Sequence, residues 1–563
     1  MARTIAIGLQ DFNKIRTKNT FYIDKTEFIR EWWEAEDDVT LITRPRRFGK
    51  TLAMSMVEQF FSVDYAHHSA LFEGLNVWQD EDFRKLQGTF PVISISFSDI
   101  KETSFIQVKK KICEIIVDLY NKYDFLADVL NNREKEYFYR VSADMEDYEA
   151  SIALRRLSDY LYQYYNQKVI ILLDEYDTPM QEAYVGGYWE ELVAFTRSLF
   201  NATFKNNPYM ERAILTGITR VSKESILSDL NNLEVVTTTS SKYASAFGFT
   251  EEEVFLALEE YGLSDRKEEV KYWYDGFTFG EKRGIYNPWS IINYLDKRKV
   301  APYWTNTSSN RMIGKIIQEG SRQLKESFEE LMNGRSIITE IEEQIVYNQL
   351  DLDESAIWSL LLASGYLRVK NCEIRGQDYG EWKQVYELQI TNFEVKLMFR
   401  DIVQSWFASS VSSYNDFIKA LLLDDLKAMN LYMNRVALTT FSFFDSGKKP
   451  SECNEPERFY HGFVLGLLVE LADKYSVTSN RESGFGRYDV LLEPRKNDDA
   501  IILEFKVQDT EEEKDLSDTV RAALDQIKKR KYADILISRG VKEGHIRSYG
   551  FAFRGKEVLI GKE

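Results

Sequence analysis

Two groups of residues in this 563-residue chain have the types and spacing that phosphate chemistry needs. The first is Gly49-Lys50-Thr51, which opens a helical pattern after the apolar run VTLIT. A helix N-terminus offers unpaired backbone N–H groups to phosphate oxygens, and in this pattern Lys50 can reach the β- and γ-phosphates while the Thr51 hydroxyl can ligate Mg²⁺. Further on, the strand-like run KVIILLDEYD ends in Asp174 and Glu175, where a second strand places a Mg²⁺-coordinating Asp and a water-orienting Glu. The second group lies in DDAIILEFKV, where strand alternation puts Ile501, Leu503, Phe505 and Val507 on one face and Glu504 with Lys506 on the other. If the run GFGRYDVLLEP lies alongside, Asp489 joins Glu504 in a paired-carboxylate site for Mg²⁺. Lys506 then positions the nucleophile for phosphodiester hydrolysis.

Each feature has a plainer reading. GKT alone fits an ordinary strand-to-helix turn, and its order before an apolar strand ending in Asp-Glu is what favours nucleotide binding. The loop departs from GxxxxGK[ST]: Arg44 stands where the first glycine belongs, and Pro45 lacks an N–H donor. Arg46 and Arg47 are candidates to compensate through guanidinium contacts to phosphate. A third strand, RAILTG, leads to Ile218, Thr219 and Arg220; Arg220 is a candidate γ-phosphate sensor, although a surface turn weighs more on this feature alone. An E-x-K pair by itself is most simply a solvated strand face, whereas helix, Asp strand, E-x-K strand and helix together point to a metal nuclease. Glu457, in the first turn of the helical run EPERFYHGFVLGLLVELADKY, reads as a third carboxylate or, with more weight, as a complement to the helix dipole. In LSDTVRAALDQIKKRKY, Val520, Leu524 and Ile527 form the apolar stripe. Gln526 and the basic cluster Lys528 to Lys531 fall on other faces, where the cluster suits a nucleic-acid backbone or simply solvent.

The elements that must position these residues follow from apolar periodicity. VTLIT, FPVISISF, KVIILLDE and RAILTG alternate with helical stretches, which implies an α/β parallel-sheet P-loop NTPase domain over residues 1–290. Residues 291–445 read as a helical middle domain, FDSGKKPSECNEPE as a linker, and 446–563 as an α/β domain in the order helix, strand, strand, helix, strand. An apolar fraction of 44% excludes a disordered chain. With 72 Lys and Arg against 90 Asp and Glu the net charge is −18, so any nucleic-acid contact is a local patch. Cys113, Cys372, Cys453 and four histidines build no zinc finger or disulfide framework. No apolar run suits a signal peptide or a membrane helix, so a soluble, cytoplasmic protein without membrane contact is expected.

The chain resembles the bacterial AAA-ATPase-like proteins that carry a C-terminal PD-(D/E)XK nuclease-like domain. The resemblance covers nearly the whole chain and rests on FYIDKT, RPRRFGKT, VIILLDEYDTP, LTGITRVSKESILSDLNNL, WYDGFTFG, YNPWSI, FYHGFVLGLL, and Asp489 with the EFK pattern. An arginine-rich loop in place of the first glycine is a habit of that family. The resemblance implies an ATPase module coupled to a nuclease fold, with Lys50, Thr51, Asp174 and Glu175 in nucleotide and Mg²⁺ roles and Asp489, Glu504 and Lys506 as the nuclease core. The resulting expectation is an ATP hydrolase governing a Mg²⁺-dependent nuclease on DNA, ahead of RNA, with homo-oligomerisation left open. Its nucleotide-binding residues are Arg46, Arg47, Gly49, Lys50, Thr51, Asp174 and Arg220; Glu175, Glu457 and Gln526 are further catalytic candidates. The alternative is an ATP-dependent switch or interaction protein whose nuclease fold only binds nucleic acid or a partner. WYDGFTFG and YNPWSI read as a packed junction between the ATPase and helical domains.

Overall fold

The computed structural model describes residues 2–220, 227, 229–307, 311–342, 354–375, 383–406, 411–444, 455–480, 488–509, 512–555 and 557–562. Of the expected linker over 444–457, residues 445–454 lie outside the described residues, while Phe444 ends one helix and Glu455, Pro456 and Glu457 open the next.

The N-terminal sheet contains β1 (Val39–Thr43), followed by helix α1 (Lys50–Phe61), then β2 (Val92–Ser96), β3 (Val169–Asp174), β4 (Met210–Gly217) and β5 (Leu233–Val236). Its order is β2-β3-β4-β1-β5 and every pairing is parallel. All residues of β1 and β3 are buried, as a parallel sheet covered on both faces requires. The order sets β4 between β1 and β3, so the C-terminal ends that carry the phosphate loop, Asp174 and Gly217 lie side by side. β5 was not legible as a strand: it lies at the sheet edge and only Val236 is buried.

Further along come β6 (Phe249–Thr250), β7 (Asp275–Phe279) and β8 (Lys282–Tyr286), a small antiparallel sheet, and then α2 (Pro288–Lys297). Asn287 caps α2 by accepting from the N–H groups of Trp289 and Ser290, and Pro288 fills its first turn. A second antiparallel sheet joins β9 (Ile337–Glu340), β10 (Leu367–Arg375) and β11 (Lys383–Ile390).

The chain divides into two compact units, one of 1–305 with 336–395 and the other of 306–335 with 396–563. The stretch 291–445 is mainly helical, but this division splits it where the sequence reading kept it whole. In the first unit Arg283 donates to the Lys370 carbonyl at 3.0 Å and Asn392 to the Tyr274 carbonyl at 3.2 Å, so 336–395 packs with the β7–β8 hairpin. Helical periodicity reveals an apolar face but not the element that face will cover.

The second unit takes up most of α3 (Phe393–Trp406) and holds α4 (Glu455–Leu471), β12 (Tyr475–Asn480), β13 (Tyr488–Pro494), β14 (Ala500–Val507), α5 (Leu516–Arg530), β15 (Ile546–Arg554) and β16 (Glu557–Lys562). The sheet order is β12-β13-β14-β15-β16, antiparallel except for β14 with β15. β12 and β16 add to the expected pattern. On one face Phe505 packs against Tyr460 and Phe463 of α4 and stacks on Phe551 at 4.6 Å. On the other, Leu491, Ala500 and Ile502 form a core with Ile527 of α5.

Candidate functional sites

The phosphate-loop candidate begins where β1 and β4 end together. Thr43 is in register with Gly217, and the Arg44 N–H continues the ladder to the Gly217 carbonyl at 3.2 Å. Gly49 caps α1 with φ of 86°, a left-handed backbone that costs glycine little. The adjoining Lys50 is buried, and its Nζ donates to the carbonyls of Arg44 at 2.8 Å and Pro45 at 2.9 Å. Burial lowers its pKa, opposed by the charges of Asp174, Glu175 and Asp177. The Thr51 hydroxyl donates to Asp174 Oδ2 at 2.7 Å, while the Thr216 hydroxyl donates to Asp174 Oδ1. Glu175 has φ of 53°, a region that costs a non-glycine residue about 1 kcal/mol or more. Its N–H donates to Thr216 Oγ1 at 3.4 Å, and its carboxylate accepts from Thr178 Oγ1 at 3.2 Å. Lys50, Thr51, Asp174 and Glu175 are thus gathered at one end of the sheet.

Arg44 takes no left-handed conformation; in the loop Arg47, with φ of 65°, and Gly49 do. The Arg44 side chain is fully buried, donating to the carbonyls of Thr43 at 3.1 Å, Lys242 at 3.2 Å, and Thr237. Its Cζ lies 4.4 Å from the Phe279 ring centre, and burial pushes its pKa down to about 9. Phe48 packs against Phe277 and Phe279 at 4.8 and 5.4 Å, and the Asn287 amide donates to the Arg46 carbonyl at 3.3 Å. A Cβ on Gly365 would come within 2.8 Å of the Pro45 ring, so only glycine leaves that ring its seat. The aromatic stretches 273–280 and 286–291 therefore underlie the phosphate loop, beyond the junction role read from sequence. Arg46 and Arg47 are exposed. Arg46 donates to Gln181 Oε1 at 3.1 Å, and the Arg47 Cζ sits 4.5 Å above the Trp289 ring.

Two residues of this neighbourhood escaped sequence reading. Thr216, inside RAILTG, donates to Asp174 Oδ1 and accepts from the Glu175 N–H, a contact to the acidic pair that the expectation for RAILTG, centred on Arg220 as a γ-phosphate sensor, did not include. Asp177, buried, accepts from the Ile218 N–H at 3.0 Å and from the Thr219 N–H and hydroxyl at 2.9 Å each, fixing the turn after β4. A threonine closing the apolar run AIL in β4 and the second Asp of DEYD were the available signals. Arg220 is half-buried in the wall of a cleft with Thr43, Thr238, Glu342 and Ser359.

In the second unit, antiparallel register sets Asp489 directly opposite Glu504. Glu504 is fully buried; Lys506, two residues on, is half-buried. The side chains of Asp489 and Glu457 lie outside the described residues, with Glu457 the third residue of α4. Glu504 is also in register with Gly550 of β15, where a Cβ would meet the Val520 carbonyl of α5 at 2.9 Å. The missing side chain lets α5 lie close over the sheet beside Glu504. Gln526 of α5 is buried with 8% exposure, whereas Lys528, Lys529, Arg530 and Lys531 are exposed. Acidic oxygen donors on neighbouring strands match the ligand preference of a hard divalent cation.

Comparison with known proteins agrees with this partition. Residues 6–227 match the family described as predicted AAA-ATPase, and residues 455–563 match the PD-(D/E)XK nuclease superfamily. An uncharacterized protein in the vnfD 5′ region of Azotobacter chroococcum mcd 1 is 25% identical over 560 residues, spanning 96% of this chain and 94% of that protein. The chain thus joins an AAA-ATPase-like domain to a PD-(D/E)XK nuclease superfamily domain. Among the described residues, no helix is long and apolar enough to cross a membrane.

Proposed function

We propose that the chain binds and hydrolyses ATP at the phosphate loop and uses nucleotide state to govern a Mg²⁺-dependent nuclease that cleaves DNA. The observation carrying most weight is the bond from Thr51 to Asp174, beside buried Lys50, because a hydroxyl and a carboxylate held together after a phosphate loop are a Mg²⁺ ligand pair. In this reading Lys50 holds the β- and γ-phosphates, Arg46 and Arg47 add guanidinium donors, and Glu175 orients the attacking water. Thr216 fixes the Asp174 carboxylate and the turn at Glu175, and Arg220 is left as a candidate sensor.

For the nuclease, Asp489 and Glu504 are the proposed metal-holding carboxylates, supported by their register, and Lys506 positions the nucleophile. Bound Mg²⁺ would supply activation of water and stabilisation of charge on the phosphorus oxygens. Gln526 and Glu457 remain candidates for orienting roles. The exposed basic end of α5 supports contact with a polynucleotide backbone.

A cleavage assay on single- and double-stranded DNA and RNA, with and without ATP and Mg²⁺, tests the reading. Lys50→Ala should lose nucleotide binding and hydrolysis, and Lys506→Ala should lose metal-dependent cleavage. Full ATP turnover by Lys50→Ala refutes the first half, and unchanged cleavage by Lys506→Ala refutes the second. Metal-independent binding of nucleic acid without cleavage would instead favour a switch or interaction protein.

A further inference from the structure

Two lines of contact leave the phosphate loop and meet at one place in the first unit. Along one, Phe48 packs edge-on to Phe277 at 4.8 Å and Phe277 edge-on to Trp304 at 5.4 Å. Along the other, Arg47 lies over Trp289 while Asn287, the cap of α2, bonds the Arg46 carbonyl. Ser290, next after Trp289, donates to Glu394 Oε2 at 2.9 Å, and Glu394 Oε1 accepts the backbone N–H groups of Trp304 and Thr305. Thr305 is the last residue before the chain passes into the second unit, and Glu394 immediately precedes Val395, after which it passes there again. One carboxylate, 1% exposed, therefore ties together two of the three points at which the chain changes units.

We propose that Trp289, Ser290 and Glu394 are positioning residues that convey nucleotide occupancy of the phosphate loop to the two connections leading into the nuclease-bearing unit. This rests on reading the loop as an ATP site. Arg47, its Cζ held 4.5 Å over the indole by cation–π attraction, keeps N–H donors that a phosphate oxygen can accept from, so it can grip a nucleotide without leaving Trp289. Phosphate binding then immobilises Arg47, the N-terminal turn of α2, Ser290 and the Glu394 carboxylate in succession. Their common end point is the pair of amides at Trp304 and Thr305.

Hydrogen–deuterium exchange on the full chain, with and without Mg·ATP, reads those amides directly. ATP should slow exchange at Trp304–Thr305 about two-fold or more in the unaltered protein. Ser290→Ala severs the link to α2 while leaving the carboxylate on both amides, and should at least halve the slowing; Glu394→Ala should abolish it. Nucleotide affinity should stay within about two-fold in each, so Ser290→Ala remains informative if Glu394→Ala does not fold. Bound ATP without slower exchange at these amides overturns the proposal alone, as does undiminished slowing in folded Ser290→Ala. Absence of ATP binding by the unaltered chain overturns the reading of the loop and this proposal with it.

Discussion

Thr51 Oγ1 reaches Asp174 Oδ2 at 2.7 Å across a sequence separation of 123. The contact exists because β4 is inserted between β1 and β3, aligning their C-terminal ends. Replacing Asp174 by Asn preserves size and an acceptor oxygen but removes the charge a divalent cation needs. ATP turnover should fall by about 10²-fold or more, with the fold intact by circular dichroism, and added Mg²⁺ should restore part of it.

Glu504 is fully buried inside the C-terminal sheet domain, and an ionised carboxylate in that setting costs stability. Glu504→Gln keeps the shape and removes the charge. Metal-dependent cleavage should disappear while the thermal midpoint stays level or rises by a few degrees, a trade expected where function requires buried charge. A drop in both would point to a structural role.

Gly550 allows α5 to approach the sheet beside Glu504. Gly550→Ala places a Cβ 2.9 Å from the Val520 carbonyl, so the helix must shift. The expected loss is about 1–3 kcal/mol by urea titration, accompanied by weaker cleavage as Gln526 moves with its helix.

Glu394 gives the first unit a pH dependence. Burial raises its pKa from the ordinary 4.5 to about 7, outweighing the hydrogen bonds from Ser290, Trp304 and Thr305 that favour the charged form. The tyrosine hydroxyls of Tyr274 and Tyr303 lie within its electrostatic reach. The folded protein therefore keeps a proton that the unfolded chain releases at lower pH, so stability falls as pH rises from the unfolded to the folded pKa and levels off above it. Glu394→Gln has no proton to release. Melting curves at about pH 5 and pH 8 should separate the two proteins more at the higher value.

The local part of this architecture was written in the sequence. VTLIT, KVIILLDE and RAILTG are continuous apolar runs because both faces of their sheet are covered, and GKT and Asp-Glu stand at their C-terminal ends. The alternation in AIILEFKV likewise separated Glu504 and Lys506 from Phe505 before any fold was known. What could not be read was the support of the loop. Phe279 beneath Arg44, Trp289 against Arg47 and Gly365 beside Pro45 are separated by some 240 to 320 positions, and periodicity carries no information at that range. Arg44 is the clearest case: from sequence it looked like a fault in a phosphate cradle, and in the fold it is a buried pillar donating to three carbonyls.

Phe277, Phe279, Asn287, Trp289 and Gly365 all lie beyond residue 227, where the match to the AAA-ATPase family stops. A recombination that transplanted only the matched segment would carry Lys50, Thr51 and Asp174 and leave behind the residues packed beneath their loop. The structural module that shapes this loop is therefore larger than the matched segment, and a domain exchange that keeps the loop intact must carry Phe277, Phe279, Asn287, Trp289 and Gly365 with it.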